Sequence, residues 1–203
     1  MDIKTKILTE AAGYFFKMGI RSVTMDYLAE QLGISKRTIY ENFRDKNEIV
    51  LHSLVKGFNE YTTELNKIVN EAPNVLEGIY NVGIKNHEIF SGINSVFLHD
   101  LKKYHSDVYD LLIRKGGTSS SDMNLLLLKR GVNEGIFKKE INIELVTVLL
   151  NHLMEWGHSD NHNVFMRFSK DDIHKSIIKP FLIGICSNKG LALLKRLDNI
   201  PDE

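Results

Sequence analysis

Lys36, Arg37, Thr38 and Tyr40 crowd one short stretch of the chain, with Ser35 and Asn42 at its ends, Thr24 ahead of it and Lys46 behind it. Ammonium, guanidinium and hydroxyl groups at this density are donors for anionic oxygens and for the acceptor edges of bases. To act together they must project from one face of a rigid element whose opposite face is buried.

The flanking residues supply that element. Thr24 is placed to cap a helix, and Asp26 favours the positive end of its dipole. Met25, Leu28, Ala29 and Leu32 then recur at i, i+3, i+4 and i+7, and Gly33 ends the helix. Ile34 plugs the angle that follows, Ser35 caps a second helix, and Ile39 and Phe43 give that helix an inward stripe. Asp45 and Glu48 form an acidic variant of a capping box ahead of Ile49, Val50, Leu54 and Phe58, so a long helix follows at once. Upstream, Ile3, Ile7, Leu8, Ala11, Phe15 and Met18 trace a helix that ends near Gly19. The pattern is a helix-turn-helix, a shape matched to the major groove of DNA.

Thr24, Leu28-Ala29, Gly33-Ile34-Ser35, Ile39-Tyr40, Phe43 and Lys46 follow the order found in one bacterial family. Residues 3 to about 55 resemble the N-terminal DNA-binding domain of the TetR (tetracycline-repressor-like) transcriptional regulators. Two departures are visible. Leu32 stands where many members have Ala, which alters packing, and Arg37 stands where many have Gly, which puts a long cation on the reading face. The resemblance implies that Thr24, Ser35, Tyr40, Asn42 and Lys46 touch phosphates while Lys36, Arg37 and Thr38 approach base edges. It also implies a homodimeric repressor on a palindromic operator of double-stranded DNA, released by a small-molecule effector bound in a C-terminal domain. An activator or a ligand-independent regulator is the alternative on the same domain.

Composition bounds the rest. The chain has 203 residues, 43% of them hydrophobic, and only 3 prolines. Helical periodicity recurs throughout with no alternation long enough for a sheet, so the class is all-α: a three-helix DNA-binding domain over 1–46 and a larger ligand-binding and dimerisation domain over 47–203. Lys plus Arg and Asp plus Glu are equal at 26 each, so no overall basic charge draws the chain to nucleic acid. Between Ile34 and Lys46, however, four cations face two carboxylates, a local excess of +2. The single Cys186 lies in an apolar stretch and reads as a buried thiol. No signal-peptide segment opens the sequence, and no apolar run approaches the roughly 18 residues a membrane span needs, so a cytoplasmic location without membrane partners is expected.

Beyond Lys46 the expected helices are Lys46 to about Val69, Val75 to about Phe90, Val96–Tyr104, Asp107–Lys115, one from Met123 to Gly131, Val146–Trp156, and a last one from Lys170 to about Ile185, kinked at Pro180. Gly116 to Ser121 has the most flexible composition in the chain; the resemblance implies a continuous helix there, and an interruption would either gate a cavity or cap the next helix through Ser121 and Asp122. Val148, Leu149, Leu153, Ile177, Phe181 and Leu182 exceed what one small domain must bury, which suits either an ordinary core or the four-helix dimer interface implied by the resemblance.

His87, Phe90, Phe97, Tyr104, Tyr109, Met123 and Trp156 could line an apolar effector pocket or serve as ordinary core. His158, Asp160 and His162, with His152 upstream, have spacing for a zinc or nickel site and would make an all-α metal sensor or hydrolase, but their Ser-Asp-Asn-His-Asn surroundings read as an exposed loop. No metal or other cofactor is expected. No glycine-rich phosphate loop, nucleophile elbow or His-Glu-x-x-His helix occurs, so the chain reads as a non-enzyme.

Overall fold

The computed structural model describes residues 2–158 and 168–197. All regular structure among them is helical: α1 (Ile3–Met18), α2 (Met25–Leu32), α3 (Lys36–Asn42), α4 (Lys46–Glu71), α5 (Val75–Ser91), α6 (Ser95–Tyr104), α7 (Ser106–Asn133) and α8 (Ile143–His158). After α8 a helical stretch runs through Lys170–Ile173, a π-turn at His174–Ile178 and Lys179–Ile185, and Asn188–Leu197 forms the last described helix. Two compact units emerge, the first built from Met1–Leu65 and Ile84–Lys115, the second from Asn66–Gly83 and Gly116–Glu203.

The first unit is held by the stripes expected from the sequence. Ile7, Phe15, Leu28, Ile39, Ile49 and Val50 are fully buried in one cluster with Ala11 and Phe43. The ends of the expected α1 stripe, Ile3 and Met18, are exposed instead, because only the middle turns of α1 have neighbours on that side. Burial at roughly 25 cal/mol per Å² makes this cluster the main stabilising term of the unit. Capping fixes where each helix starts. The Thr24 hydroxyl accepts from the Tyr27 amide at 3.0 Å, Ser35 from Thr38 at 3.0 Å, and the Asp45 carboxylate from Glu48 at 2.9 Å. The Glu48 carboxylate in turn accepts from the Arg44 amide at 2.7 Å, one residue ahead of the usual box.

Helix α6 fastens the end of α1 and the link to α2. The Asn94 amide N–H donates to the Phe16 carbonyl at 2.9 Å, its side chain donates to the Lys17 carbonyl at 3.1 Å, and its oxygen caps α6 at Val96. One turn on, the buried Asp100 carboxylate accepts from the Arg21 amide at 2.8 Å. Arg21 then lies over the Tyr104 ring at 4.8 Å and donates to its hydroxyl at 3.1 Å. Gly19, with φ of +83°, lets the chain turn here, since a side chain in that region would be strained and would press on Val96.

One alternative left open by the sequence is decided, and three expectations need correction. The joint at Gly116 to Ser121 does not interrupt a helix: α7 continues from Ser106 to Asn133. Two glycines cost about 1 kcal/mol each in a helix, but Val108 and Leu112 anchor one end in the first core, and Met123, Leu127 and Leu128 anchor the other in the second. Helix α8 begins at Ile143 rather than Val146, because the Asn142 side chain accepts from the Leu145 amide at 3.0 Å. Pro180 is served by the π-turn rather than a simple kink. Lys179 bonds back to the His174 carbonyl, widening the ladder just before the residue that has no N–H to give. Finally, the chain forms a helix after Ile185, started by the Ser187 hydroxyl accepting from the Gly190 amide at 3.2 Å and held by buried Leu194.

The second unit closes around a turn at Gly135, φ +67°, that is pinned to the segment around Cys186. Lys138 donates to the Ile185 carbonyl at 2.9 Å and Ser187 to the Ile136 carbonyl at 2.8 Å, which makes an isolated antiparallel bridge between Phe137 and Cys186. Cys186 is buried there, and burial pushes its thiol pKa up, as befits an unreactive core sulfur.

Candidate nucleic-acid interface

Helix α3 is short and has two unlike sides. Ile39 is fully buried and Phe43 nearly so, while Tyr40 keeps 49% of its surface and the Arg37 side chain 87%. Both cations of its first turn are engaged in exposed pairs, Lys36 with Asp26 at 2.9 Å and Arg37 with Glu41 at 2.9 Å. Pairs of this kind contribute about 0–1 kcal/mol, so exchanging them for phosphate or base contacts costs little. They also offset the local positive charge, in keeping with the zero net charge of the chain.

The remaining sequence-chosen residues divide by availability. Thr24 and Ser35 use their oxygens as acceptors in caps, which leaves the Thr24 hydroxyl proton free to donate; Ser35 and Thr38 share one hydrogen bond at 2.8 Å. Asn42 donates back to the Thr38 carbonyl at 2.8 Å and must swing out to reach a phosphate. Lys46 is half-buried: burial lowers its pKa, Asp100 raises it and Arg21 lowers it. It starts α4 next to the polar cluster under α6.

That cluster was not read from the sequence. Its only trace is Asp100 itself, a carboxylate at the i+3 position of the apolar stripe Phe97, Leu101 and Tyr104. His105, next to it, is 9% exposed. Burial holds its pKa below the ordinary value, nearby Lys46 adds to that, and Asp107 and Asp100 oppose it. Folding therefore favours neutral His105, and stability is lost as pH falls below about 6.5, where the unfolded chain takes up the proton first. Urea midpoints measured at several pH values should show this fall in the native chain and a shallower one in His105→Gln; equal slopes would contradict it.

The side chains chosen for an effector pocket serve different neighbourhoods. Phe97 is core, edge-to-face with Phe16 at 4.8 Å, and Tyr109 packs against the same cluster. Tyr104 is exposed beneath Arg21, His87 is exposed on α5, and Met123 packs against the second core. The side chains of Phe90 and Trp156 lie outside the described residues. So do Asp160, His162 and the His158 side chain; among the described residues no group of three His, Cys, Asp or Glu side chains could hold a metal ion. No described helix is long and apolar enough to cross a membrane.

Comparison with known proteins meets this geometry at the same place. A family model described as bacterial regulatory proteins of the tetR family matches residues 7–52, from the second turn of α1 into α4. The HTH-type transcriptional regulator YvaF of Bacillus subtilis is 33% identical over 106 residues, 51% of this chain and 55% of its own length. Residues 7–52 thus carry the DNA-binding pattern of the tetR family. The matched part spans about half the length of that relative. A second relative, the HTH-type transcriptional repressor KstR2 of Mycobacterium tuberculosis, is 23% identical over 145 residues, 70% of this chain and 72% of its own length. Among solved structures, a transcriptional regulator from Cytophaga hutchinsonii superposes with a TM-score of 0.68 at 19% identity, covering 92% of this chain and 100% of that one. The fold shared with that regulator therefore extends beyond the residues that the family model matches.

Proposed function

We propose that the protein is a homodimeric transcriptional repressor that binds a palindromic operator through α3 and leaves it when a small molecule occupies the C-terminal part of the chain. In this reading residues 1–46 are the DNA-reading head and residues 47–203 serve effector binding and dimerisation. The observation that carries it is α3 itself, anchored by Ile39 and Phe43 with Arg37 and Tyr40 outward. Repression is supported by the relative KstR2, described as a repressor.

Dimerisation is supported by α8, where Leu145, Val148 and Leu149 follow one another at i, i+3 and i+4 and stay 66%, 51% and 48% exposed. An apolar stripe of that kind is normally covered. Two reading heads on a two-fold axis would meet half-sites about 34–36 Å apart, and an effector that favours another spacing lowers affinity by its differential binding to the two states.

Fluorescence anisotropy with DNA from upstream of the protein's own gene tests the proposal. Tyr40→Ala and Lys46→Ala should weaken binding to operator and scrambled DNA alike, by about tenfold, and Lys46→Ala should flatten the salt dependence by about one phosphate per subunit. Arg37→Ala should in addition relax preference at about one base pair, a loss of about 1–3 kcal/mol of discrimination. Equal affinity of the native chain for both DNAs would refute operator recognition, and a single-base effect for Lys46→Ala would refute its assignment to phosphate.

A further inference from the structure

We propose that the cleft between the first turn of α4 and the α6–α7 joint binds a small organic acid through its carboxylate. The cleft lies wholly within the first unit and has a volume of about 560 Å³, within the usual range of small-molecule sites of about 300–1,000 Å³. Leu51 and Val108 supply apolar wall, and Asn47, Tyr104 and His105 the polar wall.

Two independent observations point to an acceptor-bearing ligand. The first is His105. It lines the cleft, is 9% exposed, and its ring has no hydrogen-bond partner among the described residues. Its neutral form keeps one ring N–H to donate. The second is the start of α7. The first bond into this 28-residue helix runs from the Tyr109 amide to the His105 carbonyl, so the amides of Ser106, Asp107 and Val108 come before the ladder and meet no protein acceptor among the described residues. Amides so placed, at the positive end of a helix dipole, are suited to a carboxylate.

The carboxylates at the cleft do not cancel this. One oxygen of Glu48 accepts from the Arg44 amide at 2.7 Å and the other faces the His52 ring at 3.8 Å. Asp107 remains, and it suits a hydroxyl on the same ligand. Arg44, whose Nε is paired with Asp45 at 3.2 Å, keeps its terminal nitrogens at the rim. The lining thus sets donors at His105 and Arg44, with the first amides of α7, beside the Asp107 carboxylate, which suits a ligand bearing both a carboxylate and a hydroxyl. Leu51 and Val108 favour one with an organic body over a bare inorganic ion.

The effect of occupancy on DNA rests on the proposed role of α3, since the cleft wall is the helix that follows it; binding of the acid does not. The test is an NMR titration of the full-length protein with 4-hydroxybenzoate, with inorganic phosphate in parallel, following backbone amides. Saturable movement of the Ser106, Asp107 and Val108 signals is expected with 4-hydroxybenzoate. His105→Phe should weaken it about tenfold or more, whereas His105→Gln, which retains an N–H, should stay within about threefold. Absence of saturation, or native affinity in His105→Phe, would overturn the proposal. Equal movement with phosphate would mean an adventitious ion only, and would overturn it as well. If His105→Phe loses its thermal transition, Arg44→Ala carries the test, with about fivefold weakening expected and unchanged affinity overturning the proposal. Loss of operator binding by α3 variants that leave this titration unchanged bears on the DNA-binding role alone.

Discussion

Replacing Arg130 by alanine is expected to destabilise the second unit by about 2–4 kcal/mol. Arg130 sits on the last turns of α7 and donates through both terminal nitrogens to carbonyls at the end of α4, those of Val69 and, at 2.6 Å, Ala72. Its Nε pairs with Glu134 at 2.5 Å, and the other Glu134 oxygen accepts from the Val75 amide at 2.9 Å, at the start of α5. One ion pair thus satisfies the end of one helix and the beginning of the next, across the break at Pro73 and Asn74. Both side chains are about three-quarters buried, so water replaces these bonds only in part. Urea unfolding followed by far-UV circular dichroism would measure the loss. Arg130→Lys should recover little, because an ammonium cannot serve both carbonyls and the carboxylate from one position. A loss below about 1 kcal/mol in Arg130→Ala would show the network to be solvent-exchangeable.

Gly131→Ala is expected to destabilise by about 2–3 kcal/mol, against the sign that helix propensity alone would give. Gly131 is helical, and alanine is ordinarily better there by about 1 kcal/mol. The buried Phe137 ring, however, lies directly against the glycine, and a Cβ at that position would overlap three of its ring atoms. Phe137 cannot withdraw, because its amide and that of Ile136 both donate to the Gly131 carbonyl at 2.9 Å. Gly57 on α4 is the matched control: a Cβ there meets nothing within 4 Å, so Gly57→Ala should stabilise by about 0.5–1 kcal/mol. Thermal denaturation of the two variants side by side should move their midpoints in opposite directions. Movement in the same direction would remove the steric argument.

The helix-turn-helix was written locally, which is why it could be read from residues alone. Thr24, Gly33, Ser35 and Asp45 act within a few residues of themselves, and the stripes of α2 and α3 have one period each. What escaped depended on distant partners. The continuity of α7 through Gly116 and Gly117 rests on apolar anchors at either end, not on composition at the joint. The last helix carries a serine cap and a leucine stripe that were visible, but it follows an apolar segment that already looked complete. Of the site, the outward set on α3 was legible. The donors around His105 were not, because Asn47, His105 and Val108 are brought to one cleft only by the packing of α4 against α6 and α7.

Helix α6 grips α1 and the link to α2 at three successive levels, through Asn94, Asp100 and Tyr104. Mechanically this is a splint without slack. Twisting α6 about its axis must either drag the platform behind the reading head or break bonds worth about 1 kcal/mol or more apiece. A torque applied to α6 would therefore reach α1 and the α1–α2 link together, as a tilt of the platform beneath α3, not as the loosening of one loop.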